Sequence, residues 1–240
     1  MAIAAHATGA APVADGPSLP FGTRPRAAPL ASFRTVTTAA RILLVRHGES
    51  TWNAAARWQG RADPPLTATG QRQAAEAAEA VGMVDAIVAS PLQRAHHTAV
   101  ILGELIGIGP VVLEDRLVER DAGEWTGLTM AEIDERYPGD RQAFRTPPGF
   151  ESDEDLVARV VPALQELGAA FDGGSILAVT HGGVILGLTR HLAGDGSRIP
   201  NLGAQWVEVL TDGGLVLGPR VPLLAEHTGG PGTSDLTEQV

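Results

Sequence analysis

The sequence between residues 42 and 49 reads Ile42-Leu43-Leu44-Val45-Arg46-His47-Gly48-Glu49. Four consecutive apolar residues, followed at once by charged residues and a glycine, are typical of a strand buried on both faces of a sheet. Similar apolar runs recur at Ala86–Ala89, Val111–Leu113 and Ile176–Val179. Because helical patterns separate these runs, we predict an α/β fold, a three-layer α/β/α sandwich with a mostly parallel central sheet.

The elements between these strands are predicted from capping residues and apolar periodicity. Proline is favoured in the first turn of a helix, so Pro91 predicts that a helix begins there. Thr129 and Ser152 are each followed three residues later by an acidic residue, which is the spacing of a capping box. The predicted elements are helices over residues 67–81, 92–106, 152–171 (with a kink at Pro162) and 184–192, a helix start at Thr129, and a hairpin over residues 206–217.

The composition divides the chain into one domain and two flanking segments. Residues 1–38 are rich in Ala, Pro, Gly and Thr and lack apolar periodicity, so we expect a disordered N-terminal extension. Residues 39–222 form the predicted folded domain, and residues 223–240 form a flexible C-terminal tail.

The amino-acid composition excludes several kinds of chemistry. The chain has no cysteine, so disulfides, thiolate nucleophiles and Cys-ligated zinc are excluded. All 18 basic residues are arginines, which excludes a Walker-type lysine and a Schiff-base mechanism. A bound anion must therefore be held by guanidinium groups, backbone N–H groups or histidine.

The charge and hydropathy of the chain limit its partners. A net charge of −10 argues against a nucleic-acid partner, which would require a basic face. No apolar run is long enough to cross a membrane, and the N-terminus lacks the pattern of a secretion signal. Together with the absence of cysteine, these features lead us to expect a cytoplasmic protein.

Chemically active side chains follow the predicted strands. Arg46 and His47 come directly after the first, Arg94 follows the second, Glu119 lies downstream of the third, and His181 follows the fourth. Ligands bind beyond the carboxyl ends of the strands in open α/β sheets, so these five side chains are expected to converge.

Two kinds of ligand are chemically conceivable at such a site. Two histidines and a glutamate could hold zinc, but Arg46 and Arg94 would repel a cation. Arginines, histidines and backbone amides that converge on one point suit an anion better. We therefore predict an anion site without a metal.

Five ordered motifs resemble those of the histidine phosphatase superfamily, the phosphoglycerate-mutase-like group. The resemblance extends from residue 42 to about residue 210. The motifs are Leu44–Asn53, Pro65-Leu66-Thr67 with Gly70, Ser90–Ala95 with Thr98, Leu117-Val118-Glu119 with Gly123, Trp125 and Gly127, and Val179–Gly183; in addition, Gly149, Glu151 and Ser152 resemble a Gly-Glu-Ser segment with Phe150 inserted.

The resemblance implies a phosphoryl-transfer mechanism through a phosphohistidine at His47. Glu119 would protonate the leaving alcohol and then take a proton from the attacking water. The implied ligands of the phosphoryl oxygens are Arg46, Asn53, Arg94, His181 and Gly182, and this positive charge implies that no cofactor and no metal ion are required.

Three functions are compatible with this resemblance. The segment between Glu119 and His181 is short and has no basic, Tyr/Arg-rich insertion, which favours a phosphatase over a phosphoglycerate mutase-type phosphoryl transferase. A non-catalytic phosphate-binding module is a third alternative, although the chain retains the implied nucleophile and acid.

Residues at the rim of the site are expected to select the substrate. The candidates are Trp58, Gln59, Arg61 and Phe150, together with Trp125 and Phe144, for which packing is an alternative role. Such a rim suits a small phosphorylated metabolite, in particular a sugar phosphate or a phosphoglycerate derivative. The hairpin at 206–217 could form a sheet edge that pairs with a second copy, so a homodimer is possible.

Overall fold

The computed structural model describes residues 36–193 and 196–224. The strands are β1 (Thr38–Arg46), β2 (Ala86–Ala89), β3 (Val112–Leu113), β4 (Ser175–Thr180), β5 (Gly203–Leu210) and β6 (Leu215–Pro222). The helices are α1 (Thr51–Ala54), α2 (Ala68–Val81), α3 (Gln93–Ile106), α4 (Met130–Arg136), α5 (Asp153–Ala170) and α6 (Gly182–Ala193), and 3₁₀ helices cover Asp115–Leu117 and Gly123–Trp125.

The six strands form one sheet in the order β3-β2-β4-β1-β5-β6. Strands β3, β2, β4 and β1 are parallel to one another, whereas β5 runs antiparallel to β1 and β6 runs antiparallel to β5. The prediction of a mostly parallel sheet is therefore confirmed. The carboxyl ends of β1, β2 and β4 meet at the same edge, and this edge carries the candidate site.

Two hydrophobic clusters cover the two faces of the sheet. Leu43 and Val45 of β1 pack in a cluster with residues of α2 and α3. Ile42 and Leu44 point the other way, into a cluster with residues of α5 and α6. All four side chains are buried, and each contributes roughly 1.5–3 kcal/mol to folding. The three-layer α/β/α arrangement is thus confirmed, as is a first strand buried on both faces.

The predicted helix starts agree with the structure. Thr67 caps α2 by accepting from the N–H of Gly70, and α3 begins two residues after Pro91. Thr129 and Glu132 form the reciprocal capping box at α4. Ser152 caps α5 by accepting from the N–H of Asp155, and this helix is continuous through Pro162.

The described residues cover only part of the segments expected to flank the domain. The predicted extension overlaps with them at residues 36–38, where Thr38 pairs with Leu210 as the first residue of β1. Its residues 1–35, and residues 225–240 of the predicted tail, lie outside the described residues. No helix within the described ranges is long and apolar enough to span a membrane.

Candidate active site

The ends of two adjacent strands bring two histidines together. Arg46 and Thr180 are the last residues of β1 and β4 and lie opposite each other in the parallel register. His47 and His181 each follow directly, and their ring centroids are 5.2 Å apart in an edge-to-face arrangement. Two of the side chains predicted to converge, those of His47 and His181, are therefore neighbours.

His47 is buried and has a defined tautomer. Its Nδ1 lies 2.7 Å from the carbonyl oxygen of Gly48. A carbonyl only accepts, so Nδ1 carries the proton and Nε2 presents a lone pair. Burial, and then the positive charges of Arg94 and Arg46, hold the pKa of His47 well below its usual range. At neutral pH the imidazole is therefore uncharged, and Nε2 is available as a nucleophile.

The turn that carries His47 is held against the start of α2. A Cβ placed on Gly48 would lie 2.5 Å from the carbonyl oxygen of Gly70, and a Cβ on Gly70 would overlap the backbone of Glu49. The N–H of Thr67 also donates to the carbonyl of Glu49 at 2.9 Å. Two glycines thus allow helix and turn to touch through their backbones.

Arg94 lies beneath His47 and is completely buried. Its Nε donates to Nε2 of His47 at 3.2 Å, and its two terminal nitrogens donate to the carbonyls of Ala62 and Gly60 at 2.7 and 2.9 Å. Burial lowers the pKa of Arg94 to about 10. Arg94 consequently remains a cation at neutral pH and stands in a fixed orientation toward the nucleophilic nitrogen.

His181 is held by a residue at the end of β2. Its Nε2 lies 2.8 Å from the hydroxyl of Ser90. Its Nδ1 is buried and has no hydrogen-bond partner among the described residues. Burial and the charge of Arg94 are the main causes that hold the pKa of His181 well below its usual value. A buried ring nitrogen without a partner is costly, which is typical of a position that binds a ligand.

Arg46 and Asn53 complete the polar floor of the site. One terminal nitrogen of Arg46 donates to the carbonyl of Ile199 at 2.8 Å, while its buried Nε has no partner among the described residues. Burial lowers the pKa of Arg46, and Glu119 opposes this effect. Asn53 is fixed by a capping box, in which its Oδ1 accepts from the backbone N–H of Ser50 at 3.1 Å.

The carboxylate of Glu119 is oriented by two backbone amides. It accepts from the N–H of Arg120 at 2.7 Å and from the N–H of Gly183 at 3.1 Å. A Cβ on Gly183 would lie 2.5 Å from Oε1 of Glu119, so the second residue of α6 must be glycine for the carboxylate to occupy this position.

A pocket of about 490 Å³ opens above these side chains. Arg46, His47, Asn53, Glu119 and Gly182 line it, whereas Arg94 and His181 lie behind His47. Three of the predicted rim residues, Trp58, Gln59 and Phe150, are also part of the lining.

The other rim candidates lie elsewhere. Arg61 does not line this pocket; it donates to Glu151 at 3.2 Å, with its side chain half exposed. Trp125 is buried against Trp58 and Phe150 in edge-to-face contacts. Phe144 is exposed and borders a neighbouring groove, which Trp125 also lines.

Known protein sequences match the part of the chain that carries this site. Positions 42–207 match the sequence family described as the histidine phosphatase superfamily, branch 1. The chain belongs to this superfamily.

Individual relatives of this histidine phosphatase are also phosphatases by name. The glucosyl-3-phosphoglycerate phosphatase of Mycolicibacterium vanbaalenii is 38% identical over 188 residues, which cover 70% of this chain and 83% of that protein. The uncharacterized phosphatase PhoE of Bacillus subtilis is 39% identical over 155 residues, which cover 64% and 77%. A solved structure of a mycobacterial glucosyl-3-phosphoglycerate phosphatase with VO3 has a TM-score of 0.68 at 34% identity, covering 74% of this chain and 96% of that one. The chain is therefore a phosphatase, and the predicted family is confirmed.

Three residues to which the sequence analysis gave no role contribute to the site of this histidine phosphatase. Ser90 contacts His181, Asn201 donates from Nδ2 to the carbonyl of His47 at 2.7 Å, and Arg120 lines the pocket. Ser90 directly follows the buried strand β2, which was an available signal. Asn201 lies before β5, the strand that returns antiparallel to β1, so only the fold places it there.

The described residues of this histidine phosphatase contain no cluster of side chains that could bind a metal ion. Within residues 36–193 and 196–224, no group of three or more His, Asp or Glu side chains could hold a metal ion. Arg46 and Arg94 place positive charge beside His47 instead.

Proposed function

We propose that this phosphatase hydrolyses phosphomonoesters without a metal ion, through a phosphohistidine intermediate at His47. The observation that carries the proposal is the fixed tautomer of His47, whose Nδ1–H donates to Gly48 while Nε2 faces Arg94. As the phosphoryl group arrives, the Nε–H of Arg94 exchanges its bond to Nε2 for one to a phosphoryl oxygen, and the freed Nε2 lone pair attacks phosphorus in line with the ester oxygen. An N–P bond forms, and the bond between phosphorus and the alcohol oxygen breaks.

We assign the binding of the phosphoryl oxygens to nitrogen donors on side chains that contact His47 or line the same pocket. The Nε of Arg46 and the Nδ1 of His181 are buried without partners, and Arg94 directs its Nε toward the nucleophile. Asn53 and Gly182 line the same pocket. Donors that need not reorganise stabilise the charge that develops in the transition state.

Glu119 is the proposed general acid and base. In its acid form it transfers a proton to the alcohol oxygen as that oxygen leaves. The resulting carboxylate then takes a proton from the water that attacks phosphohistidine, which releases inorganic phosphate and restores His47. The amides of Arg120 and Gly183 hold the carboxyl group in position for both steps.

The proposed substrates are small phosphorylated metabolites, in particular sugar phosphates or phosphoglycerate derivatives. The pocket combines aromatic and polar lining residues, Trp58, Gln59 and Phe150, which suit a hydroxylated alcohol. Two of the relatives described above are named as glucosyl-3-phosphoglycerate phosphatases, which supports this class. A cytoplasmic location, a homodimer and the absence of a nucleic-acid partner stay predictions.

The deciding experiment is hydrolysis of p-nitrophenyl phosphate in EDTA, followed by a panel of phosphorylated metabolites. We expect turnover in EDTA, and acid-labile incorporation of ³²P that is absent from His47→Ala. Loss of turnover on chelation would falsify the metal-independent mechanism. A phosphoenzyme in His47→Ala would show that another residue attacks. A coupled assay for transfer to a second hydroxyl would detect mutase activity, which we expect to be negligible beside hydrolysis.

A further inference from the structure

A second and larger groove adjoins the catalytic pocket. Its volume is about 1400 Å³, compared with about 490 Å³ for the catalytic pocket. Trp58, Arg120 and Phe150 line both, so the two cavities share one wall. Arg120 directly follows Glu119, the proposed proton donor to the leaving alcohol. The alcohol part of a bound substrate would therefore extend toward this groove.

The groove is strongly basic although the chain as a whole is acidic. Arg120, Arg141, Arg145, Arg190 and Arg198 line it, which is five of the 18 arginines. Asp153 is the single carboxylate residue in its lining among the described residues. Since the net charge of the chain is −10, this concentration of guanidinium groups forms a local site for anions. We call it the arginine groove.

Acidic residues outside the groove hold two of these arginines in place. Arg145 contacts Asp140 through Nε and its second terminal nitrogen, and Arg141 pairs with Asp134. Neither aspartate lines the groove. A guanidinium has five N–H donors, and the pair with Asp140 uses two nitrogens of Arg145. Arg145 is thus oriented by its partner and can still donate to an oxyanion.

Arg190 occupies a comparable position on α6. Among the described residues its nearest carboxylate oxygen is on Asp153, 3.8 Å away, and half of each side chain is exposed. Asp153 also pairs closely with Arg120. Within the part of the chain that the structure describes, one carboxylate on this side of the groove is therefore shared between two arginines.

Two buried donors add an independent indication of a ligand. The Nε of Arg120 and the indole Nε1 of Trp125 have no hydrogen-bond partner among the described residues. Both side chains are more than nine-tenths buried, and both line the arginine groove. Trp125 and Phe150 give this wall an aromatic surface. The groove therefore offers cations and an apolar wall to the same ligand.

We propose that the arginine groove binds the alcohol part of the substrate and that this part carries a second anionic group. The substrate class is then a phosphomonoester with a carboxylate or a further phosphate on the leaving alcohol. This inference rests on the proposed function, because it assigns the phosphoryl group to His47 and the alcohol to the groove. Arg145 and Arg190 are the residues that would distinguish such substrates from neutral analogues.

The test compares two matched substrate pairs by kcat/KM. In the carboxylate pair, 3-phosphoglycerate is compared with glycerol 3-phosphate; in the phosphate pair, fructose 1,6-bisphosphate is compared with fructose 6-phosphate. We expect wild type to prefer the anionic member of at least one pair by roughly 10-fold or more, since a hydrogen bond to a charged group has about that effect. The pair that shows the preference identifies the anionic group.

Variants then locate the origin of the preference. In the double variant Arg145→Gln/Arg190→Gln, we expect the ratio within that pair to fall by roughly 10-fold. Arg72→Gln, an exposed arginine on α2 that contacts Thr69, removes a charge elsewhere and should keep the wild-type ratio. Equal use of both members of both pairs by wild type, or equal ratios in the double variant and Arg72→Gln, would overturn the inference. Absence of any p-nitrophenyl phosphate hydrolysis would instead refute the proposed function.

Discussion

The Nε of Arg94 lies 3.2 Å from the Nε2 of His47, so a buried cation contacts the proposed nucleophile directly. The contact is possible because His47 is neutral and bears its proton on Nδ1. Arg94 lowers the pKa of His47 and, in the proposed mechanism, stabilises the phosphoryl group that His47 receives.

Arg94→Lys should reduce kcat/KM by about 10²-fold, although it preserves the charge. A lysine ammonium cannot span His47 and the carbonyls of Gly60 and Ala62 in the fork geometry of arginine. Leaving one buried carbonyl unpaired should also lower the free energy of unfolding by about 1–3 kcal/mol. Kinetics and urea denaturation measure the two effects. Arg72→Lys is the matched control, and activity within twofold of wild type in Arg94→Lys would contradict the assigned role.

We expect protonation of His47 to lower kcat/KM only at pH values below the ordinary histidine pKa. Burial and the charges of Arg94 and Arg46 favour neutral imidazole, which is the reactive form. Lowering the pH from 8 to 6.5 should therefore cause no loss attributable to His47 protonation. NMR titration of the imidazole checks this directly. A His47 pKa at or above 6.5 would be inconsistent with the buried, cation-flanked site.

The same pKa shifts predict that the folded state loses stability in acid. The folded-state pKa values of His47 and His181 lie below the unfolded value, so the unfolded chain binds more protons as the pH falls below about 6.5. The contribution of the two histidines to the free energy of unfolding is complete above that pH. It decreases as the pH falls toward their folded-state pKa values. The slope should reach at most about 2.7 kcal/mol per pH unit for the pair. Urea denaturation in phosphate-free buffer measures it, and His181→Asn should reduce the slope by up to half.

Gly183→Ala should displace Glu119, because the new Cβ would meet Oε1 at 2.5 Å. We expect kcat for an alkyl phosphate to fall about 10²-fold. The loss should be smaller for p-nitrophenyl phosphate, whose leaving group departs without a proton. Gly109→Ala is the control, because the nearest atom to a new Cβ outside the adjacent residues is 4.0 Å away. Equal losses on both substrates would argue against Glu119 as the acid.

Ser90→Ala should weaken the positioning of His181. The hydroxyl is the hydrogen-bond partner of His181 Nε2, and its removal leaves that buried nitrogen without one. We expect kcat to fall about 10-fold, with Ser90→Thr retaining more activity than Ser90→Ala if space permits the added methyl group. Inhibition by inorganic phosphate should weaken in parallel. Wild-type kinetics in Ser90→Ala would show that His181 is held by packing alone.

The sequence predicts the parts of this site that depend on a local pattern. The apolar run before His47 indicates a buried strand, and the register of β1 and β4 then places His181 beside it. Phe150 and Trp58 were also predicted at the rim, where the structure has them.

The sequence pattern does not predict contacts that depend on which side chains pair with each other in the folded protein. Arg61 was expected at the rim, but the carboxylate of Glu151 pairs with it, whereas Arg120 lines the pocket. Both arginines pair with a carboxylate, and no spacing rule decides which of them also lines the pocket. Asn201 reaches His47 only because β5 runs antiparallel to β1, an arrangement that the hairpin pattern alone did not specify.

The backbone contact between Gly48 and Gly70 has a consequence for how this chain can diverge. A methyl group at either position would strike main-chain atoms of the opposite segment, and no change of rotamer can relieve that overlap. Substitution at one glycine cannot be compensated at the other, since neither has a side chain left to shorten. The start of α2 and the nucleophile's turn must therefore be inherited together, and grafting this turn onto another scaffold would require its helix as well.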